Sequence, residues 1–206
     1  MKNQRTAMTS RARGIVRAGG AAGVAGGLSL TGYAVIQAMQ APGCIAEECA
    51  GRTYRTAGPV EGSLFLAAIV LIIGATLAFL AIPAAGTRAL RMSAVVAATA
   101  LFSGFALIGI AYFAGLALVL GVIVAYAVMG FSLASSRALP VWAGAMLAVA
   151  ALLLFGANDQ NERVLFVVPF GVAWMVLGAL LWASARDQAR MDAERHGWAG
   201  FTRPDP

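Results

Sequence analysis

Long apolar segments separated by short polar ones dominate the pattern along this chain. A helix rises about 1.5 Å per residue, so about 20 mostly apolar residues are needed to cross about 30 Å of hydrocarbon. Segments of this kind occur six times, at about 18–39, 64–85, 93–112, 116–134, 139–157 and 164–183. The pattern predicts an all-α, polytopic integral membrane protein, a bundle of six transmembrane helices arranged as three helical hairpins.

The division between the third and fourth helices follows from length. Residues 93–134 contain no charged residue. As one helix this segment would be about 63 Å long, about twice the thickness of the hydrocarbon. We therefore predict a turn at residues 112–115, where the interfacial aromatic Tyr112 is followed by Gly115.

The distribution of basic residues predicts the orientation. With a cytoplasmic N-terminus, twelve of the 15 Lys and Arg lie in cytoplasmic segments, and only Arg52, Arg55 and Arg163 lie outside. Because short cytoplasmic loops collect Lys and Arg, both termini are predicted to be cytoplasmic. The organisation is then a basic N-terminal segment 1–17, a transmembrane domain 18–185 with an exterior loop 40–63, and a cytoplasmic C-terminal tail 186–206.

Composition narrows the class of protein. The chain has 206 residues, of which 60% are hydrophobic and only 12% are charged, against about a quarter charged in soluble domains. The net charge of +6 is explained by orientation in a membrane, so it does not indicate a nucleic-acid partner. All the basic residues but Lys2 are arginines, which with the abundant Ala and Gly indicates a GC-rich bacterial genome. The predicted location is the bacterial plasma (inner) membrane.

The exterior loop contains the only two cysteines, Cys44 and Cys49. Disulfides persist outside the cytoplasm, so we predict a bridge that closes a small ring, with reduced thiols as the alternative. The loop also mixes acidic and basic residues, including Glu47, Glu48 and Arg52. Such a loop is either a docking site for another protein or a solvated cover over the helix ends.

Glycines recur at every fourth position in the first helix, at Gly19, Gly23 and Gly27. Small residues at this spacing line one helix face and allow another backbone to approach closely. The partner helix is expected within the same chain. The alternatives are a homo-oligomer or a separate partner protein.

Arginines follow the even-numbered helices at a constant interval of 49 residues, at Arg88, Arg137 and Arg186. The interval is typical of three hairpins descended from one repeat, although uniform membrane thickness would give similar spacing. The same arginines orient the chain or contact lipid head groups.

The apolar segments lack the charged side chains that mark ion paths, proton relays and active sites in membranes. We therefore expect no enzyme activity, no cofactor and no metal. The predicted function is noncatalytic, an accessory, assembly or scaffold subunit whose exterior loop contacts a partner. The alternative is a passive channel or facilitator for a small neutral or lipophilic solute, lined by Thr76, Thr99, Ser103 and Tyr126.

Overall fold

The computed structural model of the protein describes residues 9–43, 55–82, 88–108, 112–136 and 138–199. Within these residues all regular structure is helical. The α-helices are α1 (Ser10–Met39), α2 (Pro59–Ala78), α3 (Arg88–Ile108), α4 (Tyr112–Ser136), α5 (Val141–Leu153) and α6 (Val168–Ala199). Short 3-10 turns continue α2 and α5, and a 3-10 segment, Glu162–Val167, precedes α6.

Local sequence explains several helix ends. The Thr9 hydroxyl accepts a hydrogen bond from the Ala12 amide and so caps the start of α1. Helix α2 begins at Pro59, whose missing N–H is not needed in the first turn. Pro140 occupies the N-cap of α5. Pro169 is the second residue of α6, and the 3-10 geometry of the preceding segment changes to α-helix at this point.

Helix α1 packs along α2 and α6, and α4 packs along α3 and α5. Narrower contacts between α2 and α3 and between α5 and α6 join these two groups. Helix α5 therefore lies more against α4 than against α6, and the main neighbour of α6 is α1. The third predicted hairpin is not the most closely packed pair in the bundle.

Apolar side chains fill the centre of the bundle and also cover its outer surface. The rings of Tyr126, Phe170 and Trp174 meet edge to face at the centre, with centroids 5.3–6.5 Å apart. On the outside, Val70, Phe102 and Val149 are 59–65% exposed. Many exposed large apolar side chains are typical of a protein surrounded by lipid.

By length and composition, α1, α2, α4 and α6 are able to cross a membrane. Helix α5 is shorter, with 13 residues. The turn predicted at residues 112–115 is wrong, because these residues are the first turn of α4. The two helices nevertheless divide near the predicted place, since α3 ends at Ile108 and α4 begins at Tyr112.

Candidate functional site

The connections from α1 to α2 and from α5 to α6 meet at the end of the bundle opposite the start of α1 and the end of α6, here called the distal end. Arg55 binds them together. Its side chain is only 7% exposed, and its guanidinium group donates to the carbonyl oxygens of Gln40, Ala41 (3.1 Å), Asp159 (3.4 Å) and Asn161 (3.3 Å). Four carbonyl dipoles from two connections therefore replace the water that a buried cation loses.

Gln160 holds both ends of the segment 44–54. Its main-chain oxygen accepts from the Gly43 amide at 2.8 Å, and its side-chain oxygen accepts from the Arg55 amide at 2.8 Å. Its side-chain amide also donates to the Arg55 carbonyl at 3.3 Å. The residues just before and just after the segment are thus fixed to one point of the α5–α6 connection.

The Asn158 side chain stabilises this arrangement by accepting from the Gln160 amide at 2.9 Å. Gln40 donates to Glu61 in the first turn of α2 at 2.8 Å. We name Gln40, Ala41, Gly43, Arg55, Asp159, Gln160 and Asn161 the distal cluster. It joins the residues that flank segment 44–54 to the α5–α6 connection.

A second group of polar side chains lies in the middle of the bundle. The Thr76 hydroxyl on α2 donates to the Ile72 carbonyl at 2.7 Å and lies 3.1 Å from the Tyr126 hydroxyl on α4. Both side chains are fully buried. This pair can join two helices, but its hydroxyls already satisfy each other.

The four side chains assigned to a solute path are not brought together. Thr76 and Tyr126 share the packed centre, whereas Thr99 is exposed on α3 and Ser103 is half-buried there. The lining predicted for a facilitator is therefore not formed by these residues.

The three predicted packing glycines are buried in α1 between two neighbours. A Cβ at Gly19 would meet Ala78 of α2, one at Gly27 would meet Gly171 of α6, and one at Gly23 would lie near both helices. Sequence reasoning missed Gly20, which faces Gly178, and also the close pair Gly130 and Gly144 between α4 and α5. A signal was present, because Gly20 and Gly27 have the same seven-residue separation as Gly171 and Gly178.

The predicted arginines fall in different structural positions. Arg88 is the first residue of α3, and Arg186 lies well inside α6. Arg186 is exposed and lies near the ring of Trp182. Arg137 is outside the described residues, as are Cys44 and Cys49, so the predicted bridge stays a prediction.

Within the described ranges, no group of three or more His, Cys, Asp or Glu side chains has the geometry to hold a metal ion. Comparisons with protein-family models, with curated proteins and with solved structures find no match to this chain. The distal cluster is the largest network of polar hydrogen bonds among the described residues, and it is the candidate functional site.

Proposed function

We propose that this chain is a noncatalytic integral membrane protein, an accessory, assembly or scaffold subunit that binds a partner protein through its exterior loop. In this proposal all six helices cross the bacterial plasma membrane, and both termini are cytoplasmic. The observation that supports it best is the distal cluster, in which Arg55 and Gln160 fix both ends of segment 44–54.

The membrane location is supported by the outer surface. Large apolar side chains with high exposure occur on all six helices, including Leu28, Val70, Phe102, Val124, Val149 and Val172. Leaving so much apolar surface in water is unfavourable by about 25 cal/mol per Å². The orientation is supported by the concentration of arginines near the termini and near residues 88 and 137.

The docking role is supported by preorganisation. A loop whose ends are already fixed loses less conformational entropy when it binds than a loop on free ends. Segment 44–54 contains two acidic residues, Glu47 and Glu48, together with Arg52 and Tyr54. Tyrosine and arginine are common at the centres of protein interfaces, so the segment has the composition of a contact surface.

The test is crosslinking in native membranes, with the chain tagged and expressed at its natural level. We expect one partner to be recovered reproducibly through the loop 40–63, and the double variant Glu47→Gln and Glu48→Gln to reduce its recovery. Glu162→Gln is the matched control, because Glu162 is an exposed acidic residue at the same end of the bundle but outside the loop. Recovery of the chain alone, or equal loss in the control, would contradict the proposal.

A further inference from the structure

At the end of the bundle that holds the start of α1 and the end of α6, here called the terminal end, two guanidinium groups lie near one indole ring. The Cζ atom of Arg17 lies 5.1 Å from the ring centroid of Trp182, and that of Arg186 lies 5.8 Å from it. Both distances end at the same ring, so the two cations are within about 11 Å of each other.

The close approach of α1 and α6 produces this arrangement. Gly20 lies against the main chain of Gly178 and Trp182, where a Cβ would meet atoms at 2.7–3.2 Å. Arg17 is one turn before Gly20 on α1, and Arg186 is one turn after Trp182 on α6. The glycine contact therefore determines how near the two cations come.

Within the described residues, neither cation has a carboxylate at salt-bridge distance. The ion pair found at this end joins Arg190 to Glu194 at 3.1 Å, one turn further along α6. Asp187 is adjacent to Arg186 in sequence, but consecutive residues of a helix do not face each other. Two exposed cations near one ring thus form a site whose charge favours an anion.

We propose that Arg17, Trp182 and Arg186 bind the phosphodiester group of an anionic phospholipid. Guanidinium groups donate paired N–H bonds to phosphate oxygens, and stacking on an indole restricts their orientation. Trp182 is half-buried, as an aromatic side chain at a membrane interface is expected to be.

The surface between this site and the middle of the bundle fits a lipid better than a free anion. On α1, Val24 and Leu28 lie two and three turns from Arg17 on the same helix face, and Leu28 is 57% exposed. On α6, Ala179 is exposed and lies two turns before Arg186. These residues give acyl chains an apolar surface next to the head-group site. The inference depends on the membrane location proposed above but not on the partner protein.

The test uses the purified full chain and native mass spectrometry during titration with phosphatidylglycerol, with phosphatidylcholine as the neutral lipid. Replacing both arginines, Arg17→Gln with Arg186→Gln, is expected to weaken phosphatidylglycerol binding at least about tenfold, since each juxtamembrane arginine contributes substantially to attraction of anionic lipid. The control, Arg88→Gln with Arg91→Gln, removes the same charge from two exposed positions on another helix, α3, and should change affinity much less.

A third variant, Arg17→Lys with Arg186→Lys, keeps the net charge and therefore the basic residues that orient the chain. It is used if the glutamine variant does not insert into the membrane. Lysine lacks the paired donors, so its affinity is expected to lie between those of the other two chains. Unchanged affinity in the lysine variant, or equal loss in the control, would overturn the site. Competition by inorganic phosphate at the same concentration as the lipid would overturn the lipid assignment and leave a free-phosphate site.

Discussion

At the residue scale, the Thr76 hydroxyl has a single proton, and its position decides which hydroxyl donates in the contact between Thr76 and Tyr126. That proton goes to the Ile72 carbonyl at 2.7 Å, so Tyr126 donates to Thr76 across the 3.1 Å contact. Thr76→Val would leave the Tyr126 hydroxyl buried without an acceptor. Tyr126→Phe removes the hydroxyl itself, so no buried donor is left without an acceptor.

We therefore predict that Thr76→Val lowers the free energy of unfolding by about 1–3 kcal/mol, and Tyr126→Phe by less. The measurement is unfolding in detergent micelles by titration with a denaturing detergent. Ser135→Ala is the control, because the exposed Ser135 hydroxyl bonds only within its own helix, to the Phe131 carbonyl. Equal losses for the two variants would show that Thr76→Val does not leave the buried Tyr126 hydroxyl unsatisfied.

Arg55 supports a second prediction at this scale. Arg55→Gln leaves the carbonyls of Gln40, Ala41 and Asn161 without their shared donor, so we expect a loss of about 2–3 kcal/mol in stability. Amide hydrogen exchange should become faster at residues 40–43 and 157–161. Arg163→Gln is the control, since Arg163 is exposed at the same end of the molecule. If exchange at residues 40–43 and 157–161 is unchanged in Arg55→Gln, the distal cluster does not depend on the Arg55 guanidinium.

Sequence reasoning assigned Arg55 to the connection between the first two helices but did not predict its burial. Its burial depends on carbonyls of Asp159 and Asn161, more than a hundred residues away in sequence. Hydropathy and local spacing contain no information about such a contact. The pairing of Thr76 with Tyr126 was missed for the same reason, because the two residues lie on different helices and 50 positions apart in sequence.

At the scale of the helix, replacing a glycine by alanine tests whether another backbone packs directly against it. A Cβ at Gly20 would lie 2.7 Å from the Gly178 oxygen and 2.8 Å from the Trp182 nitrogen, nearer than real atoms approach. Both contacts are with backbone, which has little freedom to move. We predict that Gly20→Ala destabilises the protein by about 1–3 kcal/mol.

The matched control is Gly74→Ala in α2, where nothing lies within 4 Å of the added carbon. Alanine favours helix over glycine by up to about 1 kcal/mol, so this variant should be neutral or more stable. Thermal unfolding of both variants in the same detergent checks the prediction. A loss of similar size in both would mean that α1 and α6 are not as close as the structure places them.

The four-residue spacing of Gly19, Gly23 and Gly27 was sufficient to predict close packing by α1, but not the number of its neighbours. The structure uses two adjacent faces. Gly19 and Gly26 contact α2, whereas Gly20 and Gly27 contact α6. A spacing rule describes one face at a time, so the second neighbour of α1 could only be found once α6 was in place.

At the scale of the whole molecule, the six segments read from hydropathy correspond to six described helices, with ends that differ by several residues. The ends differ because hydropathy detects only apolar residues, whereas a helix also accommodates charged ones. Helix α6 continues to Ala199 through charged residues, because arginine and glutamate form helices as readily as most apolar residues do. Neighbour choice was less predictable, since α5 and α6 adjoin in sequence while α6 packs mainly on α1.

The proposed topology has six crossings, and labelling of single cysteines tests it. In a chain carrying Cys44→Ser and Cys49→Ser, we introduce a cysteine at one exposed position, Asp159, Ser135 or Ala193. A membrane-impermeant thiol reagent on intact cells should label only Asp159→Cys, because α5 and α6 separate it from the other two. Ser135→Cys and Ala193→Cys should react only after permeabilisation, on the side where the arginines concentrate. Labelling of Asp159→Cys and Ser135→Cys from the same side would mean that α5 does not cross, which would contradict the proposal of six crossings.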